Sequence, residues 1–509
     1  MRFVAFAVLA AIAFAQPAIA KKAKPTKAER LDAEAVATIA AFERTEVQIA
    51  TIARLDDAPG GPQLNAVIAV NPDASLQAGK MASTGRLKGR TLLIKDNIET
   101  KEFPTSAGSL ALKDNRTGRD APLVARLRAD GGVILGKTNL SEWANIRSSA
   151  SSSGWSGLGG QTRNPHATDR SPCGSSSGSG AAVAAGMAWA AIGTETDGSI
   201  TCPASMNGIV GFKPTVGLVS RTFIVPISHS QDTPGPMTTS VADAALVLSV
   251  IAGSDPRDPA TVEADKRKLD YTVGLGSSSL KGVRIGVLRK QSGRHPGVNR
   301  VFDQALADLT AAGAVLVPID YDFPDEMGRD EGVTLYFELR EDMGAYLAAL
   351  PGTVPVRSLG DVIQFNKAHA DAELRWFGQD TFEKADKPVD RGIYQKARAN
   401  SLRLAGAEGI DALLKKYDVV VLIAPTEGPA WPIDLVTGDH SSSVGAGSLA
   451  AIAGYPHLTV PMGQVEGLPI GLSFIGPKWG DKLVLDLGAA YERARTAELK
   501  RPSFKRWGE

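Results

Sequence analysis

The sequence predicts one continuous α/β domain. Segments with helix and strand periodicity alternate along the whole chain, and nothing divides them into separate groups. The 509 residues, 43% hydrophobic and 22% charged, suit a globular protein of one large domain or two or three ordinary ones. There is no internal repeat. The best linker candidate, Gly253 to Lys268 (GSDPRDPATVEADKRK), is short enough to be a surface loop.

The elements follow in order. Residues 1–20 carry one Arg, an apolar run from Phe3 to Phe14, and Ala18-Ile19-Ala20 as a cleavage site, the pattern of a signal peptide. The apolar run is shorter than the ~20 residues a spanning helix needs; a buried first helix or an uncleaved anchor is the alternative. The mature chain, 21–509, is expected to be exported, periplasmic or secreted, and soluble once the signal is removed. A helical pattern from Lys27 to Leu55 closes at DDAPGG. TLLIKD and GGVILGK read as strands, with a helix near Leu123 to Asp130 between them. Downstream, GVRIGVLR, AVLVPID and DVVVLIAP are strand-like. Helical patterns fall near Val298 to Ala312, Leu335 to Ala349, Asp390 to Ala405 and Lys482 to Arg493.

Charge narrows the partners. The 56 basic residues face 55 acidic ones, and no basic tract interleaves with aromatics, so nucleic acid is not expected and small neutral partners fit better. The six histidines (His166, His229, His295, His369, His440, His457) have no ligand spacing, so neither a metal site nor a cofactor is read. Cys173 and Cys202 are expected to be two buried free thiols, close together if their neighbourhoods meet in space, with a disulfide as the alternative in an exported protein. The oligomeric state is not legible.

Those neighbourhoods hold the chemistry. In SPCGSSSGSGAAVAAGMAWAAIGTETDGSITCP, Ser171 to Pro203, two Ser/Gly patches flank a stretch too apolar for a solvated tether. About 12 residues of helix after Ser177 rise ~18 Å, and the six residues AAIGTE return ~20 Å as a strand. The return brings Ser199 beside Ser175 or Ser176. Neither phosphate-loop nor dinucleotide-loop spacing fits. Gly174 to Gly178 matches the G-x-S-x-G elbow with Ser176 central, but that motif needs a strand before it, and RNPHATDRSPC is polar with Pro165 and Pro172. Lys95 follows three apolar residues in LLIKDNI; a desolvated lysine can act as a base, although a lone strand lysine is ordinarily a solvated charge.

With IKDNIETKEFPTSAGSLAL, GGVILGKTNLSEWAN, GSSSGSG, GTETDGSITCPASMNGIVGFKPTVGLVSR, SQDTPGPMTTSVADAA and AGYPHLTVPMG in this order, the mature chain resembles the amidase signature hydrolases nearly throughout. The stretches GWSGLGGQTRNP, SPCGSSSGSG and GTETDGSI look most like the bacterial peptide amidase branch, which removes the amide from peptide C-termini. The resemblance implies a mixed central β-sheet covered by helices on both faces. It also implies a catalytic triad of Lys95, Ser175 and Ser199, a cis peptide before Ser175, and an oxyanion hole of backbone N–H groups from Thr196, Asp197, Gly198 and Ser199. A family pattern of GTDTGGSIRIP differs here at Glu195, Asp197, Thr201 and Cys202, which argues against the branch that amidates aminoacyl-tRNA, as does the signal. Trp155, Thr426 and Trp431 are candidate pocket walls.

The expected activity is hydrolysis of a small-molecule or peptide amide. Amidases of aliphatic or aryl amides, an elbow-type esterase using Ser176, and a non-catalytic exported binding protein are the alternatives.

Overall fold

The computed structural model describes residues 27–442 and 444–509, so the signal-peptide segment lies outside the described residues. The first helix, α1 (Lys27–Ile52), leads into β1 (Val67–Val70), α2 (Ala74–Met81), β2 (Thr91–Lys95), α3 (Pro122–Ala129) and β3 (Val133–Thr138). A short ribbon of β4 (Trp155–Ser156) and β5 (Gly160–Gln161) precedes α4 (Ser177–Ala184), β6 (Ala190–Glu195), α5 (Thr201–Met206), β7 (Val210–Lys213), β8 (Thr233–Thr238) and α6 (Val241–Ile251). The remaining strands are β9 (Arg284–Leu288), β10 (Val315–Ile319), β11 (Val421–Pro425), β12 (His457–Val465) and β13 (Leu468–Ile475).

Eleven of these strands form one mixed sheet in the order β1-β3-β2-β6-β8-β7-β12-β13-β11-β9-β10. Parallel pairs β2–β3, β2–β6, β9–β10 and β9–β11 are joined by antiparallel ones. Side chains alternate across the sheet, as the pleat requires. Leu92 and Ile94 join a core with α3 and α6, whereas Leu93 joins one on the opposite face with α1, α2 and α4. Helices therefore cover both faces of a single large α/β domain. A further layer, with the helices Asp325–Ala348 and Leu359–Ala368, packs on Trp143 and Val225.

The expected twelve-residue helix after Ser177 is a correction. It is α4, eight residues long, ended by a left-handed Gly186 whose N–H returns to Val183 O while Met187 N returns to Ala182 O. That turn is a left-handed C-cap, which closes a helix wherever a glycine can adopt positive φ. At its other end α4 is seated against backbone. A Cβ on Gly178 would lie 2.2 Å from Ala66 O and 2.5 Å from Asn139 O, so only glycine permits this approach.

Candidate active site

Two parallel strands deliver the site. Lys95 is the last residue of β2, and β6 beside it carries Thr194 and then runs into the turn of Thr196 to Ser199. Crevices outside the carboxyl ends of parallel strands are where α/β sheets bind ligands. The Lys95 Nζ lies 2.7 Å from Ser175 Oγ, 2.9 Å from Thr194 Oγ1 and 3.2 Å from Thr194 O. Asn97 Nδ2 donates to the same Thr194 hydroxyl at 2.9 Å.

Lys95 is fully buried, and burial lowers its pKa to about 7, against the opposing pull of Asp232 and Glu195. Lys137, equally buried, has an acidic partner at 2.9 Å in Asp96. Lys95 has hydroxyl and carbonyl neighbours instead, so little offsets the cost of its charge.

The serine turn is held from three sides. Ser176 N donates to Ser199 O at 3.1 Å, which sets Ser199 beside the Ser175–Ser176 pair, and the Gly174–Ser175 peptide is cis. Glu195 Oε2 accepts from Ile200 N at 2.8 Å, Thr201 N at 2.9 Å and Thr201 Oγ1 at 3.2 Å. Thr201 thus supplies a hydroxyl for the carboxylate at one of the positions where the sequence departs from the family pattern. On the far side Asp232 accepts from Thr196 Oγ1 at 2.6 Å and from Ile227 N and Ser228 N, with burial raising its pKa to about 6. Among the described residues, the N–H groups of Thr196, Asp197, Gly198 and Ser199 donate to no backbone carbonyl.

Ser176, the central serine of the elbow match, is placed differently. Its Oγ donates to Thr194 O at 3.2 Å and accepts from Thr194 N at 3.3 Å, which ties α4 to β6. No strand leads directly into it, since β5 ends at Gln161.

The cysteine expectation is overturned: Cys173 and Cys202 form a disulfide with Cα atoms 6.0 Å apart. The cause is the same out-and-back path that brings the serines together, since Cys173 lies two residues before Ser175 and Cys202 three after Ser199.

Two cavities flank the serine turn. The larger, about 490 Å³, is bordered by Asn97, Thr194, Thr196 and Asp232 on the lysine side and by the apolar run Phe223 to Ile227 opposite. The smaller, about 120 Å³, touches Asp197 and Gly198. Of the pocket-wall candidates, Thr426 borders the small cavity. Trp155 and Trp431 border neither. Trp155 packs edge-on against Phe377 and under Arg147, and Trp431 packs with the disulfide while its Nε1 donates to Asp439 at 3.0 Å. Both are packing residues because their large apolar surfaces are already covered.

No motif assigns a separate role to Asn97, Thr194 or Asp232. All stand in the motif stretches quoted above, but no spacing rule says which side chain of a strand meets a lysine from its neighbour. Among the described residues, His229, Glu338 and Asp342 come close enough to share an ion, although the sequence has no ligand spacing there. Their atoms are already paired: His229 Nδ1 with Asp342 at 2.9 Å, and Glu338 with Ser230 Oγ and Tyr394 OH.

A buried lysine, a serine in contact with it and a second serine on an adjacent turn thus meet at the strand ends of a mixed α/β sheet. The chain belongs to the amidase family, whose profile matches residues 50–485. Its fold matches the native peptide amidase of Stenotrophomonas maltophilia with a TM-score of 0.87 and 47% identity, covering 93% of this chain and 98% of that one. A peptide amidase in complex with the competitive inhibitor chymostatin matches with a TM-score of 0.87 and 47% identity, over 91% and 96%. A probable amidase of Arabidopsis thaliana is 38% identical over 466 residues, 87% of this chain and 85% of its own.

Proposed function

We propose that this amidase hydrolyses C-terminal peptide amides to the free acid and ammonia, through an acyl-enzyme on Ser199. The observation that carries the reading is the contact of Lys95 with Ser175 in a site where burial favours the neutral amine. A neutral amine has two N–H bonds and one lone pair. The N–H bonds suit the two Thr194 oxygens, which leaves the lone pair for the Ser175 hydroxyl proton.

Ser175 in turn accepts the proton of Ser199 as that oxygen attacks the carbonyl carbon. The tetrahedral oxyanion falls to the backbone N–H groups of Thr196, Asp197, Gly198 and Ser199. Collapse returns the proton through Ser175 to the departing nitrogen, and the same relay activates water for deacylation. The larger cavity, with its apolar wall from Phe223 to Ile227, suits the acyl part of the substrate. The neighbouring peptide amidases support the substrate class.

The test is an ammonia-release assay over peptide amides, aliphatic amides, aryl amides and esters, with Ser199→Ala in parallel. Peptide amides are expected to turn over fastest, with internal peptide bonds left intact. Preferred turnover of aryl or aliphatic amides would replace the substrate class; endoproteolysis by the pure enzyme would sink it. The export reading has its own test: mass spectrometry of protein from its natural host is expected to find an N-terminus at Lys21, and an intact Met1 species in the cytoplasmic fraction would reject it.

A further inference from the structure

The stretch Arg221 to His229, which walls the large cavity, is tied down at both ends. Arg221 Nε and Nη2 donate to Asp258 at 2.9 and 2.6 Å, and Arg221 Nη1 reaches across to donate to His229 O. At the other end His229 fastens the stretch to the helix Asp325–Ala348. Its backbone N donates to Asp342 Oδ2 at 2.8 Å, and its ring Nδ1 lies 2.9 Å from the same oxygen. Asp342, Ala345 and Tyr346 of that helix border the large cavity together with His229, so the contact joins two of its walls.

The second ring nitrogen meets a different acid. His229 Nε2 lies 3.2 Å from Glu338 Oε1 and 3.2 Å from the hydroxyl of Tyr394, on the helix Arg391–Leu402. Glu338 is buried and collects donors: Ser228 Oγ, Ser230 N at 3.1 Å, Ser230 Oγ at 2.5 Å and Tyr394 OH at 2.7 Å. The Tyr394 proton is thereby committed, and its oxygen faces Nε2 as an acceptor. Acceptors at both nitrogens call for an N–H at each, and among the forms of histidine the imidazolium alone has two.

The surroundings favour that charge. The Asp342 hydrogen bond raises the ring's pKa above the ordinary histidine value and Glu338 adds to it, against burial and Arg221. Arg398, from the same helix as Tyr394, acts on Glu338 and Tyr394. Beside Lys95 the stretch hangs instead on Val225 N, which donates to Asn97 O at 2.8 Å, a bond without a titratable partner.

We propose that His229 is a specificity-determining residue, an imidazolium latch that closes the wall stretch onto the helix Asp325–Ala348 and so fits the cavity to a long acyl group, such as that of a dipeptide amide. The inference rests on the large cavity being the acyl site, as read above. Loss of the ring proton leaves one acid facing a bare nitrogen lone pair, and that end of the wall loosens while the end beside Lys95 holds.

Two measurements test it. The first needs no substrate: in NMR of histidine-labelled protein, the signal missing from His229→Gln is expected to titrate above 6.5, and to fall in Asp342→Asn. A ring that titrates at or below 6.5 in the parent, or one unmoved by Asp342→Asn, overturns the latch. In the second, the KM of an N-acetylated dipeptide amide should rise about tenfold as pH passes upward through the His229 value, as expected for loss of a charged hydrogen bond. The KM of N-acetylglycinamide should stay level. His229→Gln and Asp342→Asn should show the raised KM on the acid side too, with kcat still following Lys95. A dipeptide-amide KM independent of pH, or an equal rise for both amides, overturns the specificity role. Absence of any turnover in the parent would sink the amidase reading, and the titration would still judge the latch.

Discussion

Lys95 Nζ and Ser175 Oγ stand 2.7 Å apart, although 80 residues separate them in the chain and neither is solvent-exposed. Their contact joins the end of a strand to the start of a helix.

Nucleophile identity is read by covalent labelling. A fluorophosphonate probe is expected on Ser199, with labelling lost in Ser199→Ala and turnover reduced at least ~10³-fold. Ser176→Ala should stay labelled and active. Its cost is to stability, about 1–2 kcal/mol, because the buried Thr194 backbone groups lose their partner. A labelled peptide containing modified Ser176 would reverse the assignment.

The relay is expected to behave as one unit. Lys95→Ala and Ser175→Ala should each cut turnover severely, and the double variant should be little worse than either single. Additive losses in a double-mutant cycle would show that the two residues act separately.

Acidity should enter through Lys95. The base works when neutral, so turnover should rise with pH through about 7, the folded-state value set by burial. Stability moves the same way. Between about 7 and the ordinary lysine value of 10.5 the unfolded chain binds a proton that the folded chain refuses, so stability is lost as pH falls through this window and levels off below it. Lys95→Met should therefore be inactive yet more stable than the parent at pH 7, by about 1–3 kcal/mol, with the gain shrinking toward pH 10. Denaturant titrations at both pH values measure it, and an equal difference at both would contradict the assigned burial effect.

Reduction is the remaining test. The Cys173–Cys202 bond closes a loop of 29 residues, a length for which cross-linking stabilises by roughly 3.6 kcal/mol. Thiol titration of the unfolded protein should find no reactive thiols without reductant and two with it. Dithiothreitol should lower the melting temperature. Two free thiols in untreated protein from its natural host would remove the bond from the account.

Much of this architecture was legible because long apolar segments announce themselves. TLLIKD, GGVILGK and DVVVLIAP are strands with ends within a few residues of the expected ones, and the helix expected from Lys27 to Leu55 runs Lys27–Ile52 before a wider turn. The missed strands have physical reasons. β8 carries Pro234 and Pro236, which argue against a central strand, yet β7 pairs only with Met237 and Thr238, so the missing N–H groups leave no ladder bond unmade on that side. β12 and β13 meet at Glu466-Gly467, both at positive φ, without the Asn-Gly signature of such hairpins. At the site, the motifs yielded Lys95, Ser175 and Ser199. Thr194 and Asp232 stayed silent, because their importance lies in which strand lands beside which, a matter of sheet order that no local spacing encodes.

The longest uninterrupted part of the large cavity's wall is one stretch, Arg221 to His229, hung between the end of β7 and the Asp232 anchor. Ser175 and Ser176 lead directly into α4, which is seated so closely on the Ala66 and Asn139 carbonyls that Gly178 could carry no side chain. In the proposed reaction, chemistry and acyl preference fall to separate lengths of chain. Transplanting those nine residues from a relative should exchange one substrate profile for another while leaving the proton path alone, so this enzyme is modular in the one place where redesign would begin.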